Sequence, residues 1–296
     1  MPDLPWKPGA ERAILLATDL DGRCDRALDR AVALARAWSA RLVVLTVVEP
    51  LPAPPPRRDE APPAQASERA LRAAARLRRD VGPAAAGLDV ELLVREGAVG
   101  DCVDAVARET GCSLVVTGVA HDALFGRHLL GSTVAWLARH GHLPLLVVRD
   151  RAHAPYRRVV VASDFSGPSA RALALARALF PGAEASLFSA FDLPYIGLHD
   201  GDPAASLDDA RQRALASARE FLEARGHAGL AVTVAHGDAA RQLGAHAIAV
   251  GADLVVAATH GRSALYHLLI GSVAREILDA SPCDTLLVPE PRARGG

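Results

Sequence analysis

The feature of this sequence that most constrains its fold is a segment that occurs twice at a fixed separation. In the first copy, the run Leu114–Gly118 is followed by a loop and by Gly131 and Ser132; in the second, Leu254–Ala258 is followed by Gly271 and Ser272. Equivalent residues are 140 positions apart in a chain of 296 residues. Such a repeat predicts two copies of one domain, and a chain of this length is long enough for two.

Each copy alternates short apolar runs with segments of helical periodicity. Ala13–Thr18 is followed by apolar residues at helical spacing up to Trp38, and then by a second apolar run, Leu42–Val48. A strand, a helix and a strand in so short a stretch form a βαβ unit with parallel strands. The apolar runs are continuous, which is typical of a sheet covered on both faces. We therefore predict an α/β fold with two doubly wound domains, each of five parallel strands and four helices.

Proline-rich segments do not mark the boundary between these domains. Pro50–Pro63 resembles an interdomain linker, but the matching stretch of the second copy, Leu193–Pro203, also follows the second strand of its half. Both are therefore interpreted as long loops inside a domain. The domains are predicted to be residues 1–150 and 151–296, joined near Arg149–Pro155.

Composition limits the classes of partner. The 33 basic and 34 acidic side chains nearly cancel, which argues against a nucleic-acid or membrane-surface partner. The four cysteines form no CxxC pair and no metal-ligand spacing, so reduced thiols and no metal site are expected. His140 and His142 are close together but have no carboxylate at ligand spacing and are interpreted as surface residues at a helix end. With no signal-like or membrane-spanning run, we predict a cytoplasmic protein.

The glycine loops predict where a ligand binds. A doubly wound sheet binds ligands beyond the carboxyl ends of its strands, where the strand order reverses. The strands that end at Asp19 and Val116, and their copies that end at Asp164 and Val256, are candidates to flank that crevice. Glycines allow backbone amides to approach phosphate, and a helix N-terminus favours anions. A strand-end carboxylate suits a ribose hydroxyl or an adenine amine, so a nucleotide is predicted.

The loops also carry a family resemblance. The spacing G-x-x-G-x9-G-[ST] resembles the ATP-binding signature of universal stress protein domains. Thr18–Leu20 and Asp164–Ser166 occupy the positions where that family has its first-strand aspartate. Thr259–Ser263 and Leu268–Val273 closely match the sequence motif typical of the family. The resemblance covers about residues 11–150 and 155–290, so the chain looks like a tandem universal stress protein.

What this resemblance implies about structure is specific. In each half it implies the strand order 3-2-1-4-5. It also implies that the two domains pair as an internal pseudo-dimer, in which Leu145–Val148 meets Leu286–Val288 antiparallel.

The resemblance also implies a set of nucleotide contacts. Neither copy is perfect, since His121 replaces the middle glycine of the first loop and Ala258 replaces the first glycine of the second. The ring at His121 obstructs phosphate approach more than the methyl of Ala258 does, so the second half is the better candidate. The implied contacts are Asp164, Ala190, Gly261, Gly271, Ser272 and Val273 in the second half, and Asp19, Val47, Gly118, Gly131, Ser132 and Thr133 in the first.

No catalytic constellation accompanies these loops. The motifs GxGxxG, GxxxxGK[ST], GxSxG and HExxH are absent, and each loop contains one acidic residue at most. We therefore expect a stress-response protein that binds ATP or a related adenine nucleotide, with or without Mg²⁺, and is not an enzyme beyond slow ATP hydrolysis. It would act as a sensor or regulator through a partner protein, with a further homodimer as an option. The alternatives are a slow ATP-hydrolysing enzyme and a structural scaffold with degenerate sites.

Overall fold

The computed structural model describes residues 12–20, 25–50, 67–119, 131–193, 203–259 and 272–290. Within these residues, strands and helices alternate along the chain. The first half contains β1 (Ala13–Ala17), α1 (Asp25–Trp38), β2 (Arg41–Val48), α2 (Glu68–Ala84), β3 (Val90–Glu96), α3 (Val99–Glu109), β4 (Leu114–Gly118), α4 (Ser132–His140) and β5 (Leu145–Val148). The second half contains β6 (Arg158–Ala162), α5 (Gly167–Leu179), β7 (Glu184–Phe191), α6 (Pro203–Glu223), β8 (Ala231–His236), α7 (Ala239–Val250), β9 (Leu254–Ala258), α8 (Ser272–Ala280) and β10 (Asp284–Val288).

These strands form one continuous sheet. Their order is β3-β2-β1-β4-β5-β10-β9-β6-β7-β8, so the predicted order 3-2-1-4-5 is confirmed in each half. Neighbouring strands within a half are parallel, whereas β5 and β10 pair antiparallel with Leu146 opposite Leu286. Because the two halves run in opposite directions, the carboxyl ends of their strands lie at opposite edges of the sheet.

The sheet is covered by helices on both faces, as the continuous apolar runs predict. Side chains alternate along a strand, so Ile14 and Leu16 are fully buried on one face and Leu15 is fully buried on the other. The core on the first face includes residues of α1, α2, α5 and α6. The core on the second face includes residues of α3, α4, α7 and α8. Each core runs through both halves, which joins them into one packed body.

The proline-rich segment of the first half connects β2 to α2, and that of the second half connects β7 to α6. Their flanking elements belong to the same half, as the interpretation as loops inside a domain requires. The segments themselves, 51–66 and 194–202, lie outside the described residues.

Two aspartates hold the connection between the halves, one at each end. It leaves β5 and passes the amino ends of β10 and β9 on its way to β6. Asp284 Oδ1 accepts hydrogen bonds from the N–H groups of Arg149 (2.7 Å) and Asp150 (3.0 Å). At the other end of the connection, Asp253 Oδ2 accepts from two consecutive N–H groups, those of Arg157 (2.7 Å) and Arg158 (2.8 Å).

Asp284 also forms a buried ion pair between the two halves. Its Oδ2 lies 3.2 Å from Nε of Arg30 on α1, with 6% and 1% of the Arg30 and Asp284 side chains exposed. The Tyr156 hydroxyl donates to the same oxygen at 2.6 Å, and the Arg30 guanidinium lies 4.1 Å from the centre of the Tyr156 ring. Burial, together with the Asp284 charge, raises the pKa of Tyr156 well above its ordinary value. The position equivalent to Asp284 in the first half is Pro144, so the cluster belongs to the connection and not to the repeat.

The cysteines in the described residues are free thiols. Cys112 and Cys283 are buried and Cys102 is half-buried. Desolvation raises the pKa of all three thiols, to about 12 for Cys283. Such thiols are poor nucleophiles at neutral pH, and Cys24 lies outside the described residues.

Candidate functional site

The first predicted aspartate, Asp19, lies in a tight turn at the end of β1. The N–H of Thr18 continues the sheet by donating to the Leu45 carbonyl oxygen at 2.9 Å. The Thr18 hydroxyl then accepts from the N–H of Leu20 at 3.1 Å, and Leu20 has φ 62°. Positive φ is unusual for a residue with a bulky side chain and costs of order 1–3 kcal/mol. The turn therefore exposes the Asp19 side chain at the edge of the sheet.

The second predicted aspartate, Asp164, lies at the end of β6, at the opposite edge of the sheet, in a turn of the same type. The Ser163 N–H donates to the Phe188 carbonyl oxygen at 2.8 Å, and the Ser163 hydroxyl accepts from the N–H of Phe165 at 3.1 Å. Phe165 has φ 63°. The shared signal is a hydroxyl residue, an aspartate and a bulky residue in succession. This signal was available in the sequence, but the sequence analysis did not use it.

Asp164 is oriented by hydrogen bonds that the sequence did not predict. Its Oδ1 accepts from the N–H of Ser166 at 3.1 Å and from the hydroxyl of Ser169. The Ser169 hydroxyl oxygen in turn accepts from the N–H of Asp164 at 3.2 Å. Backbone and carboxylate of Asp164 are therefore both tied to the first turns of α5.

The register brings the end of each aspartate-bearing strand close to its predicted neighbour. The last pairs are Ala17 with Leu45 and Ala162 with Phe188. The predicted neighbours Val47 and Ala190 are two residues further along β2 and β7 and are half-buried near the carboxyl ends of those strands. Each aspartate and its predicted neighbour therefore lie at the same edge of the sheet.

The first-half glycine loop begins and ends at the edge that carries Asp19. Gly118 ends β4 next to β1, since Thr117 pairs with Ala17. Helix α4 leads back to the amino end of β5, so its N-terminus lies at the carboxyl edge. Gly131 is its N-cap with φ −57° and ψ 146°, and no side chain caps this end. Ser132 is exposed and Thr133 is half-buried, and the first amides of a helix have no intrahelical acceptor.

The second-half loop is described only at its two ends. Ala258 ends β9 beside β6, and the next residue, Thr259, is buried and donates its N–H to the Val288 carbonyl oxygen at 3.0 Å. Ser272 is the first residue of α8, and Val273 is 46% exposed. Gly261 and Gly271, like His121 in the first loop, lie outside the described residues, as does the side chain of Ser272.

An arginine flanks each edge at equivalent positions, a feature that the sequence analysis missed. Arg26 in the first turn of α1 donates to the carbonyl oxygen of Arg149, directly after β5, at 2.6 Å. Arg171 in the first turns of α5 has Nη2 3.8 Å from a carboxylate oxygen of Glu290, two residues after β10. Its Nε and Nη2 are shielded from solvent without a hydrogen-bond partner in the described part of the chain. Each edge thus combines a carboxylate, a glycine-flanked loop and a cation, a set that fits an anionic ligand with hydroxyl or amine groups.

His142 lies just after the end of α4, as predicted, but its side chain is only 27% exposed and has a carboxylate partner that the sequence did not reveal. Its Nδ1 lies 2.6 Å from Oδ1 of Asp104 on α3, and both side chains are partly buried. The interaction lies at the amino end of β5, away from the Asp19 edge. Burial on its own would raise the pKa of Asp104, but hydrogen bonds from His142 and Arg108 outweigh burial and lower it.

We expect Asp104→Asn to lower the free energy of unfolding by about 1 kcal/mol near neutral pH. Because the folded-state pKa of Asp104 lies below its ordinary value of 3.8, this contribution is complete above that value and disappears as the pH falls through the folded-state pKa. Urea unfolding of both proteins at a series of pH values checks this. A wild-type advantage that does not shrink in acid would contradict an ionic contribution.

Among the described residues, no helix has the length and apolar character needed to cross a membrane. The same residues contain no group of three or more His, Cys, Asp or Glu side chains placed to hold a metal ion.

Comparison with known proteins identifies the protein family. The model of the universal stress protein family matches residues 11–149 and again residues 155–289. Universal stress protein G of Shigella flexneri is 45% identical over 56 residues, which are 19% of this chain and 39% of the relative. Universal stress protein G of Escherichia coli O157:H7 matches to the same extent.

Solved structures show the same fold over almost the whole chain. One is a protein of Pseudomonas aeruginosa UCBPP-PA14 described as a universal stress protein, with a TM-score of 0.69, 20% identity and coverage of 95% of this chain and 94% of that chain. Another is a universal stress protein of Archaeoglobus fulgidus DSM 4304, with a TM-score of 0.63, 18% identity and coverage of 94% and 98%. With two family matches that together span nearly all of its length, the chain belongs to the universal stress protein family and contains two of its domains in tandem.

Proposed function

We propose that this stress-response protein binds ATP or a related adenine nucleotide at the carboxyl edges of its two half-sheets, and that binding regulates its interaction with a partner protein. The observation that supports this most is the duplicated arrangement at the two edges. At each edge, an aspartate follows the first strand of its half in a turn of the same type. One neighbour of that strand is the second strand of the half, and the other is the strand that leads into the glycine loop. We place this activity in the cytoplasm.

Different residues would bind the nucleoside and the phosphate parts of the ligand. The Asp164 or Asp19 carboxylate would accept from a ribose hydroxyl or the adenine amine, beside the backbone of Ala190 or Val47. Phosphate oxygens would lie at the N-terminus of α8 or α4, where glycines permit close approach and free amides favour an anion. ATP, alone or with Mg²⁺, supplies the anionic phosphates and the hydrogen-bonding ribose and base for which these groups are suited.

We propose the second half as the tighter site. Asp164 is held by two donors on one carboxylate oxygen, whereas Asp19 is exposed. A carboxylate that is already oriented loses less conformational freedom when a ligand binds. In addition, the first loop has His121 where the family signature has a glycine.

We propose binding without efficient catalysis. Phosphoryl transfer needs metal-holding carboxylates and a group that orients the attacking water. The second loop contains no acidic residue between Arg262 and Ile270, and the first contains only Asp122. Slow ATP hydrolysis is the alternative that these sequences leave open.

Identification of the molecule that copurifies with the protein tests the proposal. Acid would release the ligand from freshly purified protein, and mass spectrometry would identify it; a thermal shift on adding ATP would be measured on the stripped protein. Copurified ATP or another adenine nucleotide, without hydrolysis, would support a nucleotide-binding regulator. ADP together with steady phosphate release would support a slow ATP-hydrolysing enzyme. The absence of both a ligand and a thermal shift would contradict nucleotide binding and favour a structural scaffold with degenerate sites.

A further inference from the structure

We propose that Ser169 is a positioning residue of the second-half nucleotide site, and that its hydroxyl sets the higher affinity of that half. The inference rests on the proposed function, because it concerns how the carboxylate of Asp164 is presented to the ligand. Ser169 is on α5, is only 3% exposed and lies under the turn that carries Asp164. It does not itself reach the edge of the sheet.

Ser169 hydrogen-bonds to Asp164 in both directions and also contacts the Ser166 hydroxyl, at 3.1 Å between the two Oγ atoms. Its hydroxyl donates to Oδ1 of Asp164, and its oxygen accepts from the N–H of the same residue at 3.2 Å. A serine hydroxyl has one proton to donate, and here that proton is used on the carboxylate. The second donor on Oδ1 is the N–H of Ser166, at 3.1 Å. Two donors on one oxygen restrict the rotation of the Asp164 side chain and of its carboxylate.

Restricting that rotation before the ligand arrives affects affinity more than stability. A strand-end aspartate without such donors samples several rotamers, and binding must then select one of them. The half-buried carboxylate of Asp164 is instead held in one orientation at the edge of the sheet.

The two halves differ at this position. The residue equivalent to Ser169 is Cys24, since Arg26 aligns with Arg171 and Asp19 with Asp164. A thiol is a much weaker hydrogen-bond donor than a hydroxyl. A thiol at this position would therefore support its carboxylate less strongly than the serine hydroxyl supports Asp164. This difference yields a prediction that a purely structural serine would not make: affinity should follow the hydroxyl when it is moved between the halves.

The first arm of the test removes the hydroxyl. In a chain with Asp19→Ala, which disables the first half, we expect Ser169→Ala and Ser169→Cys to weaken ATP binding by about tenfold in titration calorimetry. Ser67→Ala is the matched control. It removes a serine hydroxyl that caps a helix of the other half, where it accepts from the Ala70 N–H at 3.2 Å at the start of α2. It should therefore lower the melting temperature while changing affinity less than twofold.

The second arm adds the hydroxyl to the other half. In a chain with Asp164→Ala, Cys24→Ser should tighten ATP binding by the first half severalfold. The third arm uses ATP analogues that lack the 2′-hydroxyl, the 3′-hydroxyl or the 6-amino group. For the analogue that lacks the group bound by Asp164, Ser169→Ala should cause no further loss.

The outcomes separate this inference from the proposed function. If the wild-type chain binds no adenine nucleotide, both are overturned. If it binds ATP but Ser169→Ala binds equally well, or weakens ATP and all three analogues by the same factor, only the role of Ser169 is overturned. Unchanged affinity after Cys24→Ser would overturn the explanation of why the halves differ.

Discussion

Asp284→Ala is expected to lower the free energy of unfolding by about 3–5 kcal/mol, the usual cost of removing one partner from a buried ion pair. The substitution leaves the Arg30 guanidinium buried without its counter-ion, with only 6% of its side chain exposed. It also removes the acceptor of the Tyr156 hydroxyl and of two backbone N–H groups. The largest part of the effect comes from the uncompensated charge, because the lost hydrogen bonds can be partly replaced by water.

The chain offers a matched control for that effect. Asp253 accepts two consecutive backbone N–H groups at the other end of the same connection, but it is exposed and forms no ion pair in the described residues. Asp253→Ala should therefore cost only about 1 kcal/mol. Urea unfolding monitored by circular dichroism compares the two. Equal losses would show that Asp284 acts only as a cap for the connection.

A double-mutant cycle isolates the ion pair itself. Arg30→Ala should destabilise the protein strongly, since it leaves the Asp284 carboxylate buried. The double variant should cost much less than the sum of the two single variants, because neither charge is then stranded. Additive losses would contradict the assignment of the effect to this pair.

Much of the fold could be predicted because it depends on local patterns and on the repeat. Continuous apolar runs such as Leu42–Val48 indicated buried parallel strands, and the structure has β2 at Arg41–Val48. The strand order and the antiparallel meeting of β5 and β10 followed from the family resemblance, and both are confirmed. The Asp284 cluster could not be predicted in this way. Arg30 and Asp284 are separated by most of the chain, and Pro144 at the equivalent position removes any signal from the repeat.

The candidate site was predictable to a smaller extent. Spacing predicted that Asp19 and Asp164 end strands, and the structure has them two residues after β1 and β6, at the edges where the neighbouring strands β2 and β7 also end. The support beneath Asp164 was not predicted, because Ser169 follows it by five residues inside a helix and resembles an ordinary N-terminal serine. The partner of His142 was missed for a similar reason, since Asp104 is on another helix. Interactions between distant elements depend on packing, and a single sequence carries little information about them.

Asp164→Ala is expected to reduce nucleotide affinity of the second half by about 100-fold, enough to remove the tight site from a binding isotherm. A hydrogen bond to a charged acceptor contributes about 1.5–3 kcal/mol, which corresponds to roughly one to two powers of ten in the dissociation constant. The alanine also leaves the ligand's hydroxyl or amine facing a site that no longer satisfies it. Calorimetric titration of stripped protein with ATP measures both the affinity and the number of sites.

Two further variants make that result specific to the carboxylate and to the half. Asp164→Asn keeps an amide oxygen that can accept from Ser166 and Ser169, so the turn should persist while affinity falls by about tenfold through loss of charge. Asp19→Ala should leave the tight site intact, since the two carboxylates lie at opposite edges of one sheet. Retained tight binding in Asp164→Ala, with loss in Asp19→Ala, would assign the nucleotide to the first half. That assignment would also mean that an exposed carboxylate binds better than one held by two donors, which is the opposite of the physical reason given for the difference between the halves.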